Sequence, residues 1–309
     1  MTGWLWVIFT VLAAGGQTLR NAMQRELTAT LGTVGATHVR FLFGLPFALL
    51  FLAAVLFFTG EPIPAFNQRM LIWTSAGATT QFAATAMLLA AMRDKSFVLV
   101  TALNKIEPVH VAIFGLVFLG DHITLPLAVA ILIATLGVVI MSWPKAATGP
   151  KSQKPANGGA GENLGLKPIV LGLLAGAMFG ASAVGYRGGM LALATPNFIV
   201  KATVTLVAGL LMQVAVLSLY LLLFDRGTLT AILKAWRPSM VAGFMGAFAS
   251  QNWFLAFALE SAAKVRTLAL VEIVFAGLIS RSLFKQGFAS REGLGILMIV
   301  VGVVILLNQ

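Results

Sequence analysis

The stretch Leu103–Thr124, LNKIEPVHVAIFGLVFLGDHIT, is apolar enough to lie in a bilayer, yet it carries Asn, Lys, Glu and His within seven residues. A second stretch, Leu268–Ser290, LALVEIVFAGLISRSLFKQGFAS, again sets a Glu among aliphatics. An ionisable group in hydrocarbon costs at least ~2.5–3.5 kcal/mol on insertion scales, so such groups face protein or water. The expectation tested below is that Glu107 and Glu272 belong to one solute pathway.

Composition sets the frame for that expectation. Hydrophobic residues make up 59% of the 309, charged residues 10%, and the mean hydropathy is +0.94. Soluble globular chains carry about 25% charged residues, so the chain reads as a polytopic helical membrane protein. The net charge of +11 belongs to membrane boundaries and anionic headgroups. No dense Lys/Arg run with interleaved aromatics lies outside the apolar blocks, so no nucleic-acid partner is expected. With no Cys, disulfide and thiolate chemistry are excluded. The first apolar block lacks a basic leader and continues to about Met23, as an uncleaved first span does.

A span needs about 20 mostly apolar residues. Blocks of that size fall near 4–23, 33–58, 70–92, 96–118, 125–143, 168–188, 197–224, 239–259, 263–284 and 291–307. Breakers or charges mark most joints, as in GEPIP (60–64), RDK (93–95) and FDRG (224–227). The segment 144–167, rich in Pro, Gly, Ala and Lys, reads as a flexible polar linker between 1–143 and 168–309, five spans in each. An offset of 165 (272 − 107) lays Glu107 on Glu272, Ser96 on Ser261 and the run GVVI at 137–140 on GVVI at 302–305. Five is odd, so the second copy inserts upside down. The expected fold is an all-α integral membrane protein, ten transmembrane helices forming two inverted five-helix repeats around a central cavity.

The motifs RFLFGLP (40–46), EPVHVAIFGLVFLGDHIT (107–124) and LGVVIMS (136–142) resemble those of the drug/metabolite transporter superfamily, in its ten-span EamA branch. The second half departs from the pattern: Ile273 replaces the Pro that follows Glu107, and Lys285-Gln286 stands where Gly120-Asp121 does. The resemblance implies a helical basket with spans one to four and six to nine around the cavity. It also implies a bacterial inner (plasma) membrane location and an exporter of small metabolites such as amino acids or related compounds.

Helical spacing places Asn104 and His110 on the face of Glu107, with Lys105 about 160° away and in need of another partner. Pro108 removes a backbone hydrogen bond beside the Glu and is the expected hinge. Two carboxylates sharing a partly dry site raise each other's pKa, which makes them candidates for proton binding. The competing reading has each Glu locking a helix contact. Gln81, Gln251, Asn252 and Trp253 are lining candidates in spans three and eight. Arg20 with Arg40, and Arg187 with Lys201, sit near span ends. Each pair is expected either to guide an anionic or zwitterionic solute at a mouth or to snorkel to headgroups. The glycines at 172, 176 and 180 form a small-residue stripe suited to close helix packing.

The three histidines are too scattered for a metal site, and no P-loop, nucleophile elbow or metal-binding helix motif is present. The expectation is therefore no cofactor, no metal and no enzyme, with a small solute, lipids and protons as partners. Two other functions compete: efflux of lipophilic organic cations, and a non-transporting scaffold or lipid-binding protein. Basic residues concentrate on the linker face, whereas the terminus face carries Arg69, Lys264 and Arg266. That bias puts the linker in the cytoplasm, while the family resemblance implies cytoplasmic termini.

Overall fold

The structure is a computed structural model that describes residues 2–94, 103–142, 166–273 and 290–308. The expected linker lies outside these residues as far as 165. Every described element is helical: α1 Leu5–Leu42, α2 Leu45–Thr59, α3 Gln68–Asp94, α4 Glu107–Phe114, α5 Leu125–Ser142 and α6 Leu166–Leu191. There follow α7 Phe198–Phe224, α8 Arg226–Lys234, α9 Trp236–Leu259, α10 Ala262–Leu268 and α11 Ser290–Leu307.

The first joint differs from the expected one. Helix α1 continues past Met23 to Leu31, and the chain turns at Gly32, where φ is 67° and ψ 179°. Backbone in that region is essentially glycine-only. Gln24 Nε2 donates across the turn to the Ala36 carbonyl at 2.8 Å, which satisfies a buried donor and fixes the angle between the two arms. The apolar run Leu27–Thr59 therefore contains both the turn and the second span. Together with Ile169–Leu191 and Phe198–Phe224 it is long and apolar enough to cross a membrane. Apolar side chains cover the outside: Phe57 and Phe58 are 82% and 83% exposed, and Leu50, Val117, Leu125 and Leu223 also face outward. Such a surface is suited to lipid and not to water.

Three helix pairs dominate the packing: α3 with α6, α1 with α9, and α5 with α11. In each, one member comes from 1–143 and the other from 168–309. Helices α5 and α11 approach at glycines. A Cβ on Gly137 would stand 2.7 Å from the Gly295 carbonyl oxygen, and one on Gly302 would stand 2.8 Å from that of Ala130. The offset of 165 exchanges these two contacts, since 302 − 137 and 295 − 130 are equal. The glycine stripe of α6 also packs as its spacing implies, with Gly176 against the Asn104 backbone and Gly180 against His110.

Two helices are broken at matched places. Leu103 and Asn104 are helical, Lys105 and Ile106 form a turn, and α4 begins anew at Glu107. In the other half α10 ends at Leu268, Ala269 and Leu270 form a turn, and helix resumes over Val271–Ile273. Pro108 thus starts a helix, where its missing N–H costs nothing, and does not kink a continuous one as expected. The second break has neither Pro nor Gly nearby, so its cause is tertiary.

Candidate functional site

Where the broken helices meet the long ones, a small cavity opens, lined by Gln17 of α1, Arg40 of the second arm, Gln81 of α3, Tyr186 of α6, Trp253 of α9 and Arg266 of α10. Its volume is about 20 Å³, the size that holds one water. Phe179, Phe254 and Phe257 supply apolar wall. The polar side chains are held in place by one another. Trp253 Nε1 donates to Gln17 Oε1 at 3.1 Å. Gln81 Oε1 accepts from Tyr186 Oη at 3.1 Å and from Gln213 Nε2 at 2.9 Å. The Tyr186 ring leans on Phe254 with centroids 4.6 Å apart.

Charge is distributed unevenly around this chamber. Arg266 Nε lies 3.0 Å from Glu107 Oε1, with its guanidinium carbon 4.2 Å from the Trp253 ring centroid and 5.3 Å from that of Phe257. Lys105 Nζ forms an ion pair with Glu272 Oε1. Each glutamate is therefore neutralised by a cation from the other half of the chain, not repelled by the other glutamate as the sequence reading had it. The break at Lys105–Ile106 takes Lys105 off the regular helix path, and its required partner proves to be Glu272.

Among the described residues, Arg20 and Arg40 have no carboxylate partner. Arg20 is 3% exposed; its Nη2 donates to Asn21 Oδ1 at 2.8 Å, while Nε and Nη1 make no hydrogen bond. Arg40 is 5% exposed; it donates to Thr85 Oγ1 at 3.4 Å, and its guanidinium carbon lies 5.1 Å from the Phe41 ring centroid. The two stems meet over Gly246, where a Cβ would stand 3.4 Å from Arg40 Cγ and 3.6 Å from Arg20 Cδ. Arg40 and Arg266 both lie within electrostatic reach of Arg20. This corrects the reading of Arg20 and Arg40 as a mouth. With the turn at Gly32, Arg20 lies about 18 Å and Arg40 about 12 Å along the helix from it, at 1.5 Å per residue.

The other expected site residues divide. Gln81 and Trp253 line the chamber. Asn104 is buried and Glu107 lies beside it in the break, whereas His110 packs on Phe114, with centroids 6.3 Å apart. Gln251 turns away to donate to Thr203 Oγ1 at 2.8 Å, and Asn252 donates to the Phe248 carbonyl of its own helix at 2.8 Å. Lys201 is half-buried near the start of α7. Arg266 was expected outside the spans and lies within the site. Its position in the apolar block 263–284 was the available sign. Tyr186 and Gln213 are further members that no charge pattern announced.

Arg187 does occupy an end of the bundle. Its guanidinium lies 3.7 Å from Asp121 Oδ1 and donates to the carbonyls of Phe257 and Glu260. Asp121 can approach because residue 115 is glycine: a Cβ there would stand 2.9 Å from Asp121 Oδ2. On the same face Glu61 accepts from Thr195 Oγ1 at 3.1 Å and from Asn197 Nδ2 at 2.9 Å. Asn67 Nδ2 donates to the Ala192 carbonyl at 2.6 Å. The terminus-bearing face is thus fastened by polar contacts between the two halves.

No curated protein matches the sequence. One crystal structure of a protein superposes with a TM-score of 0.67 over 98% of this chain and 97% of its own, at 13% identity, and shows the shared fold alone. Residues 1–143, which hold Arg20, Arg40, Gln81 and Glu107, match the model of the EamA-like transporter family. Residues 1–143 are thus similar to the EamA-like transporter family, and together with the long apolar helices this points to an integral membrane protein of transporter type.

Proposed function

We propose that the chain is a secondary transporter that carries a metabolite of about amino-acid size outward across a bacterial inner membrane. Its units would be the five-helix halves 1–143 and 168–309, inverted relative to each other and joined by the linker 144–167, rocking about the chamber. One observation carries this reading. The helices bearing Glu107 and Glu272 are both interrupted beside the chamber, and each glutamate is paired to a cation of the opposite half. Discontinuous helices at a repeat interface are where transporters hold their cargo. The exchange of the Gly137–Gly295 and Gly302–Ala130 contacts by the 165 offset supports the two-fold relation.

The charge-paired glutamates also suggest how protons couple to the movement. Protonating Glu107 or Glu272 removes one side of an ion pair that bridges the halves, so a proton and the cargo act on one contact surface. Glu107, Glu272 and Lys105 belong to the pathway in this reading, with Asn104, Gln81 and Trp253 beside them. The test is flux in proteoliposomes under an imposed pH gradient. Replacing both glutamates with Gln is expected to abolish gradient-driven flux while leaving exchange at equal pH. Undiminished gradient-driven flux in that double variant would remove proton coupling from the proposal.

A further inference from the structure

The balance of charge around the chamber says what kind of cargo it accepts. Arg40 and Arg266 line the chamber, Arg20 and Lys105 lie within electrostatic reach of Arg266, and the carboxylates nearby are Glu107 and Glu272. Both carboxylates are already committed to Arg266 and Lys105. Among the other Asp and Glu whose side chains the structure describes, each is occupied elsewhere: Glu61 at Thr195 and Asn197, Asp121 at Arg187, Asp225 at Thr228, and Glu260 at Lys264. The sequence of 95–102 and 274–289 contains no Asp or Glu. Two guanidinium groups therefore remain without a counter-charge, both at least nine-tenths buried, and two nitrogens of Arg20 lack any hydrogen bond.

A protein holds buried, uncompensated cations at a cost to its stability. Replacing such groups with neutral ones of similar size is commonly neutral or stabilising. Here the cost coincides with a wall of aromatic rings, Trp253, Phe257, Tyr186 and Phe254, over which an apolar body can lie. Guanidinium groups bind carboxylates through paired, directional hydrogen bonds. We propose that the chamber is a binding site for a small organic anion, a monocarboxylate with an aromatic or branched apolar body, whose carboxylate is received by Arg40 and Arg20. This rests on the transporter reading for its role as cargo, but the binding itself does not. An ammonium group has no uncommitted carboxylate to meet, so the amine and the zwitterion of the same skeleton bind more weakly. At about 20 Å³ the cavity must widen to admit such a molecule, as it does when the halves part.

Three probes with one skeleton test this: phenylacetate, phenethylamine and phenylalanine. Binding of labelled phenylacetate to the full-length protein in detergent is measured directly, with the other two as competitors. Phenylacetate is expected to bind at least about tenfold more tightly than either, the factor that one lost charge-assisted contact gives. Arg40→Gln and Arg20→Gln are expected to lose that preference while unfolding at the same temperature as the parent or a higher one. Arg40→Lys should recover part of the affinity. A purely structural role for these arginines predicts the opposite: lower unfolding temperatures and unchanged binding. Equal or tighter binding of the amine or zwitterion, or no phenylacetate binding up to its solubility limit, overturns the inference. Flux separates the two proposals. Phenylacetate that binds but is never moved in proteoliposomes upholds the anion site and sinks the transporter reading. Transport of phenethylamine without phenylacetate binding does the reverse.

Discussion

Arg266 does three things that no other side chain can do together. Its edge meets the Glu107 carboxylate at 3.0 Å, and its flat face lies 4.2 Å from the Trp253 centroid and 5.3 Å from that of Phe257. A planar, delocalised cation can donate in its plane and stack across it, whereas an ammonium is a point charge that serves one of the two. The side chains of Arg266 and Glu107 are each 10% exposed, so neither tolerates loss of the other. Arg266→Gln strands a buried carboxylate and is expected to destabilise the protein by about 3–5 kcal/mol, the cost of breaking a buried pair. Adding Glu107→Gln should restore much of that loss, because the uncompensated charge disappears. Unfolding in detergent measures all three variants. Strict additivity of the two substitutions would mean that the pair carries no coupling. Arg266→Lys should fall between the parent and Arg266→Gln, since it keeps the charge and loses the stacking.

At the level of helices, the sequence carried some of the arrangement openly and hid the rest. The GVVI runs at 137–140 and 302–305 look like a cheap aliphatic match. Packed, they place Gly137 on the Gly295 carbonyl and Gly302 on that of Ala130. A side chain at either glycine pushes α5 from α11 against backbone that cannot yield. Gly137→Val and Gly302→Val are each expected to destabilise by about 1–3 kcal/mol, the usual cost of overpacking. If the halves are equivalent the two costs agree, and a loss confined to one of them in thermal unfolding would show that they are not. The broken helices behave otherwise. Pro108 announces the first break, but the segment AAKVRTLALVEI (262–273) has no breaker. Its turn at Ala269–Leu270 lies between Arg266 and Glu272, whose ion-pair partners come from the other half. Helical spacing could not reveal that Lys105 reaches Glu272, because the spacing argument assumes the regular helix that the turn interrupts. Hydropathy did mark the apolar runs Leu27–Thr59, Ile169–Leu191 and Phe198–Phe224. The depth of Arg20 and Arg40 was not legible, since it depends on one glycine turn nine residues beyond the apparent end of the first block.

For the molecule as a whole, the described contacts define one side as closed. Glu61 of the α2–α3 connection holds Thr195 and Asn197 of the α6–α7 connection. Arg187 ties Asp121 to the end of α9. These contacts cross between the halves at the terminus-bearing face, so the proposed alternating access would require them to break once per cycle. The Glu61 contacts are half-exposed and worth little by themselves, which suits a latch that opens repeatedly. The absence of cysteine from the chain permits a direct test, because any introduced pair is unambiguous. Glu61→Cys with Asn197→Cys, whose native side-chain tips meet at 2.9 Å, should be bridged by a short bis-methanethiosulfonate reagent, which bonds each thiol as a reducible disulfide. Locked in this way, the protein is expected to lose net flux and to regain it on reduction, with phenylacetate binding from the other face retained in both states. Each single variant should transport, because the broken latch contributes little to the stability of the closed form. Full flux through the cross-linked double variant would mean that this face never opens, and that the cargo path runs elsewhere through the bundle.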